Sequence, residues 1–96
     1  MNAIELASFR VRLDVDEASL QTAIDETNRW LAIQTGFVLR RHGSGDGRER
    51  IDYVEWQRMD HAMAAAERFM AAPETQAYMV AIETGSVSMH HFTLMP

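Results

Sequence analysis

Strand-like alternation and helix-like spacing of apolar residues follow one another twice along this chain. Ile4–Leu13 opens with Ile4, Glu5 and Leu6 in alternation and continues with Phe9, Arg10, Val11, Arg12 and Leu13. This is the period-two pattern of a half-buried strand. Its two pieces put their large apolar groups on opposite parities, so either a bulge intervenes or both faces are covered. Asp14 and Asp16 then offer caps for a helix, with Glu17 following Asp14 at capping-box spacing. Leu20, Ala23, Ile24, Thr27 and Leu31 share one helical face, with Trp30 beside it. Gln21, Asp25, Glu26 and Arg29 take the wet side, and Asp25 and Arg29 have the i,i+4 spacing of an ion pair. Gly36 is placed to end this helix.

The plan then repeats. Phe37–His42 reads as a second strand, and Ile51–Trp56 as a third, extending to Gln57. Ile51, Tyr53 and Glu55 fall on one face of the third strand, Asp52, Val54 and Trp56 on the other. From Met59 a second helix sets Ala62, Met63, Ala66, Phe69 and Met70 on one stripe. Pro73 interrupts it and starts a short further helical stretch toward Ile82. Gly85 turns the chain into a last strand, Val87–Met95.

The order β-α-β-β-α-β predicts an α+β, ferredoxin-like fold over a single domain, residues 1–96. Its four-stranded antiparallel sheet would carry both helices on one face. The last strand, however, has bulky groups on both parities: Val87, Met89 and His91 on one, His90, Phe92 and Leu94 on the other. Water on the bare face would strand several of them. A homodimer packed sheet to sheet removes that cost.

Composition narrows the function. Apolar residues make up 47% of the 96, which supports a packed core in a chain that a second copy would help to stabilise. Cysteine is absent, so disulfides and thiolate metal sites are excluded. The start has no signal-peptide pattern, and no run reaches the roughly 18 apolar residues of a membrane span, so a cytoplasmic protein is expected. Net charge is −5, and all basic residues are arginine. Without a basic stripe the chain is a poor candidate for nucleic acid. Arg40, Arg41, Arg48 and Arg50 read as a solvated hairpin rim. Gly43-Ser44-Gly45-Asp46-Gly47 lies between strands and lacks the phosphate-loop pattern, so it reads as the hairpin tip.

Several segments together resemble a family. They are Thr35-Gly36-Phe37, Asp52-Tyr53-Val54-Glu55-Trp56, Ala62 with Ala65–Ala66, Pro73, and Ser86-Val87-Ser88-Met89-His90-His91-Phe92. They are similar to the dimeric α+β barrel proteins, in particular the antibiotic-biosynthesis-monooxygenase-like branch. The resemblance spans nearly the whole chain and rests mostly on structural motifs. It implies the fold, a homodimer, and a pocket for a small aromatic or polyketide-like molecule. The implied activity is cofactor-independent oxygenation. The chain departs from the branch at two places. Ala7, Ser8 and Phe9 stand where oxygenases carry a first-strand asparagine, and Phe69 stands where a helix histidine would ligate heme iron. Loss of the amide weakens oxygenation, and loss of the histidine disfavours heme chemistry.

The candidate chemistry is sparse. His90 and His91 are adjacent on a strand and point to opposite faces, and no metal-binding spacing such as HxH exists, so no metal or other cofactor is expected. His91 could act as a general base, or it could be a buried histidine bonded to a carbonyl or to a partner subunit. Trp56 could floor an aromatic pocket with its N–H as orienting donor, or serve as a core anchor. Asp52 shares its face and could orient the His91 ring. Met63, Phe69, Tyr78 and Met89 are the candidate ligand contacts, with Trp30 and Tyr78 placed to close the mouth; plain core packing is the alternative. Two function classes stay open: an enzyme acting on a small aromatic, and a non-catalytic ligand-binding or structural dimer.

Overall fold

A carboxylate sets the start of the first helix. Asp16 lies just outside the first turn, and its side chain accepts the Ser19 amide at 2.7 Å, which satisfies one of the open N–H groups there. The computed structural model describes residues 1–96. Its elements are β1 (Ala3–Arg10), α1 (Glu17–Ala32), β2 (Phe37–Ser44), β3 (Glu49–Trp56), α2 (Met59–Phe69), α3 (Gln76–Ala81) and β4 (Ser88–Thr93). One 3₁₀ turn, Pro73–Thr75, leads into α3. Asp14 is not a cap; it pairs with Arg12 at 2.6 Å. The expected Asp25–Arg29 pair is replaced by a bond from Gln21 to Asp25 at 2.9 Å.

The strands form one antiparallel sheet in the order β2-β3-β1-β4. The order of elements and this topology are the ferredoxin-like βαββαβ arrangement. β1 keeps one register against β3 from Ala3↔Trp56 to Arg10↔Glu49, so it contains no bulge. The parity conflict has the other solution. Ala3, Ala7 and Phe9 are buried toward the helices, while Ile4 and Leu6 lie half-buried on the opposite face. The irregularity sits instead in β2, between Phe37 and Leu39.

Gly36 does not cap α1, which ends at Ala32. It occupies the turn into β2 with φ of 83°. A Cβ there would collide with the His61 ring. Both the positive φ and the close approach of α2 require glycine.

α2 turns a narrower stripe inward than its spacing suggested. Ala62 and Ala65 are fully buried, whereas Met63 is 51% exposed and Met70 is exposed. The methyl side chains let the helix approach β3, and the methionines flank that contact. After α2, the Thr75 hydroxyl donates to the Phe69 carbonyl at 2.6 Å. This closes one open carbonyl of the helix end.

Two apolar clusters make the core. One joins Phe9, Val11, Leu20, Ile24 and Tyr78; the other joins Trp30, Leu31, Val54, Trp56, Ala62 and Ala65. Phe69 packs against both, its ring 5.7 Å from that of Trp30 and 6.5 Å from that of Tyr78. No helix is long and apolar enough to cross a membrane.

Candidate functional site

The clusters leave a space between them. A cavity of about 440 Å³ lies between the helices and the sheet. Its floor is the helix-facing side of β1 and β3, with Ala7, Phe9, Val54 and Trp56. Thr27, Trp30 and Leu31 of α1, Ala65, Ala66 and Phe69 of α2, and Tyr78 form the other walls. Exposed Met70, Val87 and Met89 also border it, so the rim is apolar and opens beside the edge strand β4. Small alanines beneath α2 leave the room; larger side chains there would fill it.

One wall carries a buried polar cluster around Asp52. Arg40 donates to Asp52 from Nε at 3.2 Å and from Nη2 at 2.9 Å to Oδ1 and 3.0 Å to Oδ2. His42 Nδ1 lies 2.8 Å from Oδ1, and the Tyr78 hydroxyl donates to Oδ2 in a short bond. The Arg40 guanidinium also stacks 5.0 Å from the Tyr78 ring centre and reaches Asn28 at 2.8 Å. Burial works against the Asp52 charge, but the His42 bond, the Arg40 charge and the remaining bonds outweigh it. The carboxyl is therefore held below its ordinary pKa. Burial, followed by the Asp52 charge, pushes the Tyr78 phenol above its ordinary range, so it stays protonated and donates. An anion this fully bonded is a poor proton acceptor.

This cluster changes the expected roles. The arginines do not form a uniform solvated rim: the Arg40 side chain is only 4% exposed and that of Arg50 is mostly buried. Asp52 orients His42, not His91. His42 and Asp52 face each other in the β2–β3 register, while His91 pairs with Glu5 across β1 and β4. His91 Nε2 lies 2.9 Å from Glu5 Oε2. His91 itself does not border the cavity, but Glu5 does.

Of the other candidates, Trp56, Asp52, Phe69, Tyr78 and Met89 all border the cavity. Met63 does not; it faces outward one position around α2 from the buried alanine line. Trp30 and Tyr78 are buried inner walls, not a mouth. The groups missed from sequence are Glu5, Arg40 and His42. Counting outward from the Gly45–Glu49 pair that closes the hairpin, where the Gly45 amide donates to the Glu49 carbonyl, places His42 opposite Asp52, a signal that strand alternation alone does not use.

Two wall residues hold buried polar atoms without a partner. Trp56 Nε1 and Thr27 Oγ1 make no hydrogen bond, although each residue is only 1% exposed. Such groups are costly unless something else satisfies them. No group of three or more His, Cys, Asp or Glu is placed to hold a metal ion.

No family model and no curated protein sequence matches the chain. Solved structures do. SnoaB from Streptomyces nogalater, a cofactor-independent oxygenase, superposes with a TM-score of 0.73 at 19% identity, covering 99% of this chain and 94% of that one. A proposed antibiotic biosynthesis monooxygenase from Bordetella bronchiseptica superposes at 0.77 with 14% identity, covering 99% and 98%. A dimeric protein of unknown function and ferredoxin-like fold from Bacteroides fragilis superposes at 0.62 with 13% identity, covering 97% and 96%. At these identities the likeness establishes the fold alone, the ferredoxin-like α+β arrangement.

Proposed function

We propose that this chain binds a small, flat, mostly apolar molecule of the aromatic or polyketide-like class in the cavity beneath α2, and that it works as a homodimer. The observation that carries the reading is an apolar cavity of about 440 Å³ whose walls hold two buried, unpartnered donors, on Trp56 and Thr27. A ligand carbonyl or phenolic oxygen would satisfy them, which fixes its orientation as well as its place. Trp30, Phe69 and Tyr78 offer ring faces and edges to a planar ligand. Met89 would contact it near the rim.

The reaction class this reading favours is cofactor-independent oxygenation. An activated ring methylene loses a proton, and the electron-rich anion reduces dioxygen; the methylene and O₂ become a carbonyl and water. The likeness to SnoaB, an oxygenase of that kind, supports it. A second reading, binding without turnover, is favoured by the saturated hydrogen bonding of Asp52, which leaves that carboxylate no free oxygen to take a proton.

The dimer reading rests on the sheet face turned away from the helices. Ile51 and Phe92 are exposed there, and Ile4, Leu6, Leu39 and Tyr53 are half-buried beside them. The Bacteroides fragilis neighbour is itself dimeric, which supports a dimer here.

Titration with a hydroxyanthrone, followed by tryptophan fluorescence and by oxygen uptake, tests both readings. Saturable quenching with oxygen uptake supports the enzyme; quenching without uptake supports the binding module. Replacing Trp56 by Phe removes the N–H and keeps a ring, and should weaken binding by roughly fivefold to tenfold, the worth of one hydrogen bond. Absence of saturable binding by the wild type would sink the cavity reading altogether.

A further inference from the structure

We infer that Glu5 is the group that accepts the ligand's proton, with His91 as its positioning residue. This rests on the reading of the cavity as a ligand site. Three carboxylates border that cavity: Glu5, Asp52 and Glu83. Both Asp52 oxygens are bonded, to Arg40, His42 and Tyr78. Both Glu83 oxygens are bonded to arginine, Oε1 to Arg48 at 3.0 Å and Oε2 to Arg10 at 2.8 Å. Arginine pairs stabilise the anion and lower its appetite for a proton.

Glu5 differs in each respect. Its only side-chain hydrogen bond is the one Oε2 accepts from His91 Nε2 at 2.9 Å, and Oε1 makes none. The side chain is 17% exposed, sheltered yet reachable. Its sheet neighbours are Val54 on one side and His91 on the other, and it carries no arginine pair. The other charged groups on the cavity are Arg40, Asp52 and Glu83, each held in its own pairs; α1 and α2 contribute only Thr27, Trp30, Leu31, Ala65, Ala66 and Phe69. A carboxylate with one anchored and one free oxygen, set among apolar walls, is the form a general base takes.

The step is a proton transfer. A phenolic O–H, or a methylene C–H held between aromatic rings that are conjugated to a carbonyl, gives its proton to Glu5 Oε1. The bonding electron pair stays on the ligand as a phenolate or enolate, and its oxygen can accept from the Trp56 N–H. His91, 22% exposed, holds Oε2 so that Oε1 faces the ligand.

Anthrone is the probe. Its ring methylene exchanges hydrogen for deuterium when a base removes the proton, and the loss of that proton signal is read by NMR in anaerobic D₂O. Fluorescence quenching in the same samples reports binding. Wild type should bind and speed the exchange. Glu5→Gln should still quench but lose on the order of 100-fold in exchange rate, the scale of general-base catalysis. His91→Gln should show a smaller loss, with binding kept. Exchange at the wild-type rate in a folded Glu5→Gln protein overturns the inference, as does a wild type that binds without speeding exchange; in either case the cavity reading stands. A wild type that does not bind anthrone removes the cavity reading and this inference with it. Glu5→Asp keeps the charge and withdraws the carboxylate by one methylene. Should the glutamine variant not fold, lost exchange with retained binding in Glu5→Asp supports the inference, and unchanged exchange overturns it.

Discussion

At the scale of single residues, Asp52 is the most constrained group in the chain. It is buried, charged and bonded to three different side chains. Removing its charge leaves the Arg40 guanidinium buried without its counter-ion, and breaking such pairs costs about 3–5 kcal/mol. Asp52→Asn should therefore lose stability of that order in urea unfolding at neutral pH. The sign of its pH dependence follows from the direction of its shift. Its folded pKa lies below the ordinary carboxylate value of 3.8, so its contribution is fully present above that value. The contribution disappears as pH falls through the lower folded value. The stability gap between wild type and Asp52→Asn should thus be constant above about pH 5 and narrow on acidification, as acid-dependent unfolding curves can show. A gap that widens with acid would contradict the assignment of Asp52 as the anion. That Asp52 faces inward beside Val54 and Trp56 was legible from alternation. Its partners were not, because Arg40 and His42 belong to another strand and only the hairpin register brings them across.

At the scale of elements, the packing of α2 on β3 and on the turn before β2 decides where the cavity lies. Ala62 and Ala65 make the close contact, and Gly36 lets the turn pass His61 without a clash. Gly36→Ala would force a side chain into positive φ, which costs about 1–2 kcal/mol, and into the His61 ring as well. The expected result is a destabilisation of about 2 kcal/mol or more in thermal unfolding, since overpacking alone costs about 1–3 kcal/mol. A neutral substitution would show that the turn and His61 move freely. The same element shows where pattern reading fails. Met63 and Met70 lie within one helical step of the alanines, and hydrophobicity alone cannot rank a methionine below an alanine for burial. The distance between helix and sheet ranks them, because only the small side chains fit under it. The existence of each helix and strand, and the inward face of β3, followed from local spacing; the inward line of α2 did not.

At the scale of the whole molecule, one face of the sheet carries the helices and the cavity, and the other carries apolar side chains without cover. Ile51 and Phe92 are exposed on that second face. A second copy would shield them, and a dimer is expected at micromolar concentration in sedimentation velocity. Replacing Leu6 and Phe92 by lysine puts charge at the centre of the face, where burying it without a partner is costly. That double variant should sediment as a folded monomer. A wild-type monomer at the same concentration would remove the case for sheet-to-sheet assembly.

The sequence by itself determined the succession of strands and helices, the two-sided sheet, and the inward side of β3. These are properties of local spacing, and the physical forces behind them act between near neighbours. Only the tertiary structure decided that Asp52 meets Arg40, His42 and Tyr78, that Glu5 meets His91, and that a cavity separates the two core clusters. Those contacts depend on strand register and on how near a helix can approach a sheet, and both are settled by the packing of residues far apart in the chain.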